Sequence, residues 1–160
     1  MIPDAKLKSH MFDGSCSTVG LTYNPYRQRL VYDKNGTDVV FNLKRKKSWN
    51  SKLEITRVKL TIPLDLFYAP PSAHDARMLS NVRLLPVIEV DGHNVIVKLI
   101  PKAENRRTRL NDNDNLSFII IGAQLNPKAT KLDIKVTESY YGDEDIDSHF
   151  NAVVIVPKEI

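Results

Sequence analysis

The sequence predicts an all-β protein, mainly antiparallel, built as a two-layer β-sandwich of which a jelly roll is one arrangement. Short apolar and β-branched runs recur along the chain and are separated by turn-forming residues. Several of these runs alternate strictly between apolar and polar residues, which is typical of strands with one buried face. One segment alone, near residues 72–80, has the start signals of a helix.

The predicted strands follow from these runs in chain order. They cover residues 18–23, 30–33, 38–43, 53–62, 82–85, 86–99 (as a hairpin), 116–121, 132–138 and 152–156. The apolar positions of 53–62 change parity near Arg57, which indicates a β-bulge or a bend between two sheets. The predicted sandwich therefore contains at least one irregular strand.

Two hairpins are predicted from turn dipeptides. Asn35-Gly36 accepts the positive φ angles of a two-residue turn, so residues 30–33 are expected to pair with 38–43. Asp91-Gly92 predicts a second hairpin with Glu89 opposite Asn94.

The predicted helix begins after Pro70-Pro71. Ser72 and Asp75 have the spacing of a capping box, in which each side chain satisfies a backbone N–H of the first turn. The helix is expected to be short and to lie near residues 72–80.

Length and composition indicate a globular chain. The 160 residues are 42% hydrophobic and 26% charged, which suits a single domain over residues 1–160, with residues 1–15 as an N-terminal arm. The N-terminus shows no secretory signal, and Cys16 has no second cysteine to pair with. These features predict a protein inside the cell, in host cytoplasm or in a virion.

The net charge of +4 is unevenly distributed, with cations in excess in the first half and acids in the second. Four consecutive cations are followed by an aromatic residue and another lysine: Lys44, Arg45, Lys46, Lys47, Trp49 and Lys52. Cations beside an aromatic ring are typical of sites for single-stranded nucleic acid. An anionic membrane surface and a solvated loop with Trp49 in the core are the alternatives.

A second basic patch contains Arg106, Arg107 and Arg109 and precedes an Asn/Asp-rich stretch. Arginine favours bidentate contacts with phosphate or carboxylate, so this patch could extend the first one or bind an acidic segment of another copy. A hydrated loop is the alternative.

An acidic segment contains Asp143, Asp145 and Asp147, the alternating positions that open a calcium-binding EF-hand loop. Ser148 and Val154 stand where that loop requires glycine and glutamate, so no metal site and no cofactor are predicted. The four histidines share no metal-ligand spacing.

Self-association is predicted from three runs that are apolar at consecutive positions, so that both faces of each strand need cover. They are residues 39–41, 118–121 and 153–156. The preferred function is accordingly a non-catalytic, self-assembling structural protein, such as a capsid, matrix, tail or decoration subunit of a virion, with itself as partner. A nucleic-acid-binding module using 44–52 and 106–109 is the first alternative, and an enzyme without a sequence signature is the second.

Overall fold

Nearly all of the regular secondary structure in the described chain is antiparallel β-strand. The computed structural model describes residues 9–19, 21–24, 29–32, 37–49, 52–111, 114–126 and 131–153. The strands are β1 (Phe12–Val19), β2 (Leu21–Asn24), β3 (Arg29–Tyr32), β4 (Thr37–Arg45), β5 (Ile55–Pro63), β6 (Phe67–Ala69), β7 (Ala76–Met78), β8 (Leu84–Asp91), β9 (Asn94–Pro101), β10 (Leu116–Leu125), β11 (Lys131–Tyr140) and β12 (Ile146–Val153). One 3-10 turn, Leu64–Leu66, precedes β6.

The strands form two packed five-stranded sheets and one small hairpin sheet. In the first sheet the order is β1-β4-β10, and both β6 and β7 pair with the outer side of β10. The second sheet has the order β12-β11-β5-β9-β8. β2 and β3 pair only with each other among the described strands. The predicted two-layer antiparallel sandwich is confirmed.

Two crossovers interlock the sheets. The chain leaves β4 in the first sheet for β5 in the second, and it later leaves β10 in the first for β11 in the second. Because β4 pairs antiparallel with β10 and β5 pairs antiparallel with β11, the chain makes these two crossings at opposite ends of the sandwich. Such connections occur in Greek-key sandwiches, jelly rolls among them.

The core fills the space between the sheets. Phe41 and Phe118 are directly opposite each other on β4 and β10, and their rings stack with centroids 5.0 Å apart. Leu60, Val97 and Leu99 of the second sheet are fully buried members of the same core cluster. Alternate residues of these strands face inward, as the apolar–polar alternation predicts.

The irregularity predicted near Arg57 is confirmed. β5 pairs with β11 through Arg57 opposite Ser139 and Ile55 opposite Tyr140, so Thr56 is left as an extra residue. Both Ile55 and Val58 can then face the core although an even alternation would separate them.

The helix predicted near residues 72–80 is wrong. The side chains of Ser72 and Asp75 do accept backbone hydrogen bonds within this segment. The Ser72 amide donates to the Asp75 carboxylate at 2.8 Å, and the His74 amide donates to the Ser72 hydroxyl at 3.3 Å. They close an isolated turn, and the following residues pair with β10 as β7 (Ala76–Met78). Strand pairing outweighs the local helix signal here.

The first predicted hairpin is also wrong. β4 pairs on one side with β1 and on the other with β10, so neither edge is left for the preceding strand. β3 (Arg29–Tyr32) pairs with β2 instead. The turn dipeptide at 35–36 lies outside the described residues.

The second hairpin exists with a different register. Asp91 lies opposite Asn94, so the two turn residues are Gly92 and His93 rather than Asp91 and Gly92. Gly92 has a φ of +59° and no such angle occurs at His93, which is typical of a type II′ turn with glycine at its first central position.

The two long sides of the sandwich close differently. On one side the edge strands β1 and β12 meet, and the Phe150 ring occupies the space that a Cβ at Gly14 would fill. On the other side β8 meets the three-residue strand β7. The first side is therefore sealed by a close aromatic contact against bare backbone.

Replacing Gly14 by Ala should destabilise the protein by about 1–3 kcal/mol, because the added methyl group overlaps the Phe150 ring. Denaturant unfolding measures this loss. Ser15→Ala, one residue along β1 at an exposed position, is the matched control and should be nearly neutral. Adding Phe150→Leu should recover part of the loss, and an unchanged stability of Gly14→Ala would contradict the packing.

Candidate functional site

Both basic patches lie at one end of the sandwich, which we call the basic end. Three connections meet there: residues 46–54 between β4 and β5, residues 102–115 between β9 and β10, and residues 141–145 between β11 and β12. β4 ends at this end of the sandwich, where β5 begins. β9 and β11 also end here, because both run antiparallel to β5.

Backbone hydrogen bonds fix these connections to one another. Ile55 and Thr108 form an isolated bridge with N–O distances of 2.7 and 3.0 Å. Arg45 donates from its amide to the Asn115 side chain at 3.1 Å and from Nη1 to the Asn111 carbonyl at 2.9 Å. The structure thus brings the segments 44–52 and 106–109 together, which the sequence alone left open.

Trp49 is packed into the protein. Its ring lies 5.3 Å from Phe12 and 5.9 Å from Tyr140, both measured between centroids, and it packs against the main core cluster. Its Nε1–H is buried with no hydrogen-bond partner among the described residues. Trp49 is therefore half-buried and packs against the core, close to where the alternative placed it.

Two of the predicted arginines are engaged by one carboxylate. Glu54 lies 3.8 Å from Nε of Arg107 and 3.7 Å from Nη2 of Arg109. Arg107 also stacks over Tyr141, with its guanidinium carbon 3.9 Å from the ring centroid. Tyr141 is 62% exposed, so the exposed aromatic ring of the basic end is this tyrosine.

The remaining cations differ in their surroundings. Lys44, Lys47, Lys52 and Arg106 are exposed, and Arg106 adopts a φ of 58° at its turn. Lys46 is half-buried: its amide donates to the Met11 carbonyl at 2.8 Å, and its Nζ lies 4.0 Å from Asp13. The basic end therefore presents a subset of the predicted cations to solvent.

The acidic segment is bound to its own sheet. Asp145 accepts from the Ser139 hydroxyl at 2.7 Å and lies 3.6 Å from Arg57. Asp147 accepts from the Thr137 hydroxyl at 2.7 Å, and this hydrogen bond, with Lys135 nearby, lowers the pKa of Asp147.

No group of three potential metal ligands occurs in the part of the chain that the structure describes. Val154, which was compared with the last ligand position of an EF-hand loop, lies outside the described residues. Within the described residues, no helix has the length and hydropathy needed to cross a bilayer.

A buried carboxylate beneath the basic end was not among the predicted residues. Glu138 on β11 has no exposed surface. It accepts from the amides of Met11 at 2.8 Å and Phe12 at 3.3 Å, and from the Tyr140 hydroxyl at 2.7 Å. The signal was present in the alternation of β11, because Glu138 occupies an inward position between Val136 and Tyr140.

Burial dominates the ionisation of this cluster. Desolvation raises the pKa of Glu138, although its three hydrogen bonds and the charge of His10 oppose the shift. Burial, and then the Glu138 carboxylate, raise the pKa of Tyr140. Burial also raises the pKa of the Cys16 thiol to about 12, so this cysteine stays protonated at neutral pH and is a poor nucleophile.

Comparisons with known proteins give structural likenesses alone. No protein-family model and no curated protein matches the sequence. A cohesin module from a family 33 glycoside hydrolase of Clostridium perfringens is similar, with 8% identity and a TM-score of 0.45 over 91% of this chain and 98% of the other. A collagen-binding domain from a Staphylococcus aureus adhesin has 11% identity and a TM-score of 0.39 over 92% and 99%.

The stability that Glu138 contributes should depend on pH. Because its folded pKa is raised above the unfolded value, that contribution is complete below the unfolded pKa and is lost as pH rises through the folded pKa. Glu138→Gln removes the titration and turns an amide towards N–H donors, at a cost of about 1–3 kcal/mol. The stability advantage of the natural protein over this variant should shrink with rising pH in denaturant unfolding. An advantage that grows with pH would mean that the hydrogen bonds outweigh burial.

Releasing the two arginines from Glu54 should strengthen binding to polyanions. Glu54→Gln leaves Arg107 and Arg109 without their carboxylate, so affinity for single-stranded DNA should rise. The dependence of log K on log salt should steepen by about 0.7 for each additional phosphate that the protein neutralises. Glu104→Gln makes the same charge change at an exposed position in the connection that carries Arg107 and Arg109, and it is the control. Equal effects of the two variants would show that net charge alone is responsible.

Proposed function

We propose that the protein is a non-catalytic structural protein that assembles with copies of itself. The observation that supports this most directly is the distribution of apolar side chains on the outside of the sandwich. Among the described residues, the large hydrophobic side chains with exposed surface are Tyr68, Leu79, Leu85, Val90, Ile100, Ile121 and Tyr141. Ile121 lies on β10 of the first sheet, whereas Leu85 and Ile100 lie opposite each other on β8 and β9 of the second, so both sheets carry exposed apolar side chains.

The first sheet illustrates why cover is needed. In the predicted run 39–41, Val39 and Phe41 are fully buried while Val40 faces outward and is half-buried. Val40 lies directly opposite Ile119, and Ile121 further along β10 is 38% exposed. The outer face of this sheet thus carries apolar residues that a neighbouring subunit would shield. The side chains of the third run, 153–156, lie outside the described residues.

The N-terminal arm that could reach a neighbouring subunit is shorter than the predicted residues 1–15. Residues 12–15 belong to β1, and Met11 and Phe12 are buried and bonded to Glu138. The segment that would reach a neighbour is therefore the one before residue 9, which lies outside the described residues.

The specific assembly we propose is a virion, with the chain as a capsid, matrix, tail or decoration subunit made in the host cytoplasm. This step rests on the sandwich fold and on the cationic end, which suits a subunit packed near nucleic acid. Electron microscopy of the purified protein tests it, since closed shells or tubes are expected. Amorphous or strictly dimeric material would contradict the virion assignment and leave self-association standing.

A nucleic-acid-binding module is the second candidate function. It is favoured by the meeting of the segments 44–52 and 106–109 at the basic end, where Lys44, Lys47, Lys52 and Arg106 are exposed. Tyr141, rather than Trp49, would provide the stacking surface.

Sedimentation velocity at micromolar concentration tests the structural proposal. We expect species larger than the 18.2 kDa monomer, and we expect deletion of residues 1–8 to shift the distribution towards smaller species. A monomer at every concentration, unaffected by the deletion, would reject self-assembly and favour the binding module.

Replacing Lys44–Lys47 by Gln tests the binding module. Affinity for single-stranded DNA should fall, and the dependence of log K on log salt should flatten by about 0.7 for each phosphate that the variant no longer neutralises. A charge-matched comparison sets Lys44→Gln with Lys47→Gln against Lys59→Gln with Lys135→Gln, which removes the same two charges on the outer face of the second sheet away from the basic end. An unchanged affinity and slope in the four-residue variant would assign the run to a solvated connection.

A further inference from the structure

β8 (Leu84–Asp91) is an edge strand with an apolar outer surface. It pairs with β9 on one side, and no other described strand pairs with it. On the outer face Leu85 is 51% exposed and lies opposite Ile100, which is 36% exposed; Val90, on the opposite face of the strand near its end, is 48% exposed. An edge with free backbone groups and apolar side chains is a template for pairing with another strand.

The backbone of β8 offers a regular set of hydrogen-bonding groups. Asp91 and Asn94 close a two-residue turn, and the Lys102 amide donates to the Arg83 carbonyl at 3.1 Å. Since hydrogen-bonded and non-hydrogen-bonded pairs alternate in an antiparallel ladder, the odd-numbered residues direct their backbone groups to β9. The even-numbered residues from Leu84 to Val90 direct theirs outward.

Pro86 is consistent with this arrangement. It is one of the outward-directed positions, where proline removes an N–H that has no partner within the sheet. Leu84, Ile88 and Val90 keep both backbone groups, and Pro86 keeps its carbonyl. The outward side of β8 thus lacks one hydrogen-bond donor, at Pro86, but can still pair with another strand. The side chains of β8 then determine which strand fits.

The charges at the two ends of β8 are complementary. Arg83 precedes the strand and Asp91 ends it; both are exposed, and neither is in an ion pair with a described residue. The other acid on this face, Glu89, is already bound to Lys98 at 2.6 Å. An antiparallel copy of the same strand would place Arg83 opposite Asp91 at both ends of the pair, whereas a parallel copy would place like charges together.

We propose that β8 pairs antiparallel with β8 of a second copy of this chain, about a two-fold axis that passes beside Val87. This surface rests on the self-association proposed above and specifies where it occurs. Leu84 lies opposite Val90 of the second copy, and the two copies of Val87 face each other across the axis. A two-fold contact of this kind is self-complementary, so one patch serves both copies.

The pairing joins the second sheets of two sandwiches into one continuous sheet. Arg83, Val87 and Asp91 are directed to β9 through their own backbones, so they form non-hydrogen-bonded pairs across the new contact. Side chains are closest in such pairs, which favours the two ion pairs. Leu85 and Ile100, on the outer surface next to the junction, become shielded by the neighbouring copy.

Charge reversal tests the pairing. Arg83→Asp or Asp91→Arg alone places like charges at both ends of the contact and should weaken dimerisation about tenfold in sedimentation equilibrium. Combining the two substitutions restores opposite charges and should restore the dissociation constant. Asp65→Arg, at an exposed position outside β8, is the control. Single reversals without effect, or a double variant that stays weakened, would overturn the pairing.

A disulfide tests the register. In a Cys16→Ser background, Val87→Cys faces its own copy across the axis, with Cα atoms about 4.5 Å apart, and should form a crosslinked dimer under mild oxidation. Glu89→Cys faces position 85 and should not crosslink. Association of the unsubstituted protein without crosslinking at Val87 would reject this surface alone. A natural protein that remains monomeric would reject both this surface and self-assembly.

Discussion

The carboxylate of Glu138 holds together parts of the chain that are far apart in sequence. It sits on β11 between the sheets and accepts the amides of Met11 and Phe12, where β1 begins. A buried carboxylate costs several kcal/mol unless it is bonded, and its donors here are two backbone amides and the Tyr140 hydroxyl. The start of β1 therefore has one position relative to the second sheet. Trp49, packed between Phe12 and Tyr140, depends on that position, and so does the entry to the basic end.

The basic end follows from chain connectivity as much as from charge. The antiparallel pairings of β4 with β10 and of β5 with β9 place the β4–β5 and β9–β10 connections at the same end, and the Ile55–Thr108 bridge joins them. Glu54 then draws Arg107 and Arg109 towards the protein, while Tyr141 accepts the face of Arg107. The basic end therefore combines arginines that are paired with Glu54 and lysines that are exposed to solvent. If this surface binds anions, as proposed, Glu54 competes with them for the two arginines.

Local patterns were sufficient for the fold class, the parity change in β5 and the position of the second hairpin. Each of these depends on neighbouring residues, such as Ile55 and Val58 both requiring burial. The errors arose where distant strands compete for the same backbone. β4 is occupied by β1 and β10, which excludes β3, and β10 draws residues 76–78 away from a helix. Glu138 was overlooked because its inward position carries meaning only once its donors at residues 11 and 12 are known.

The contact between Gly14 and Phe150 holds one long side of the sandwich more firmly than the other. On that side the long strands β1 and β12 meet over an aromatic ring set against backbone, whereas the opposite side is closed through a strand of three residues. We therefore expect the two sheets to separate first on the side of β7 and β8, while the side of β1 and β12 stays packed. Amides of β6 and β7 would exchange with solvent through small openings, while those of β4, β5 and β11 would exchange only when the whole fold comes apart.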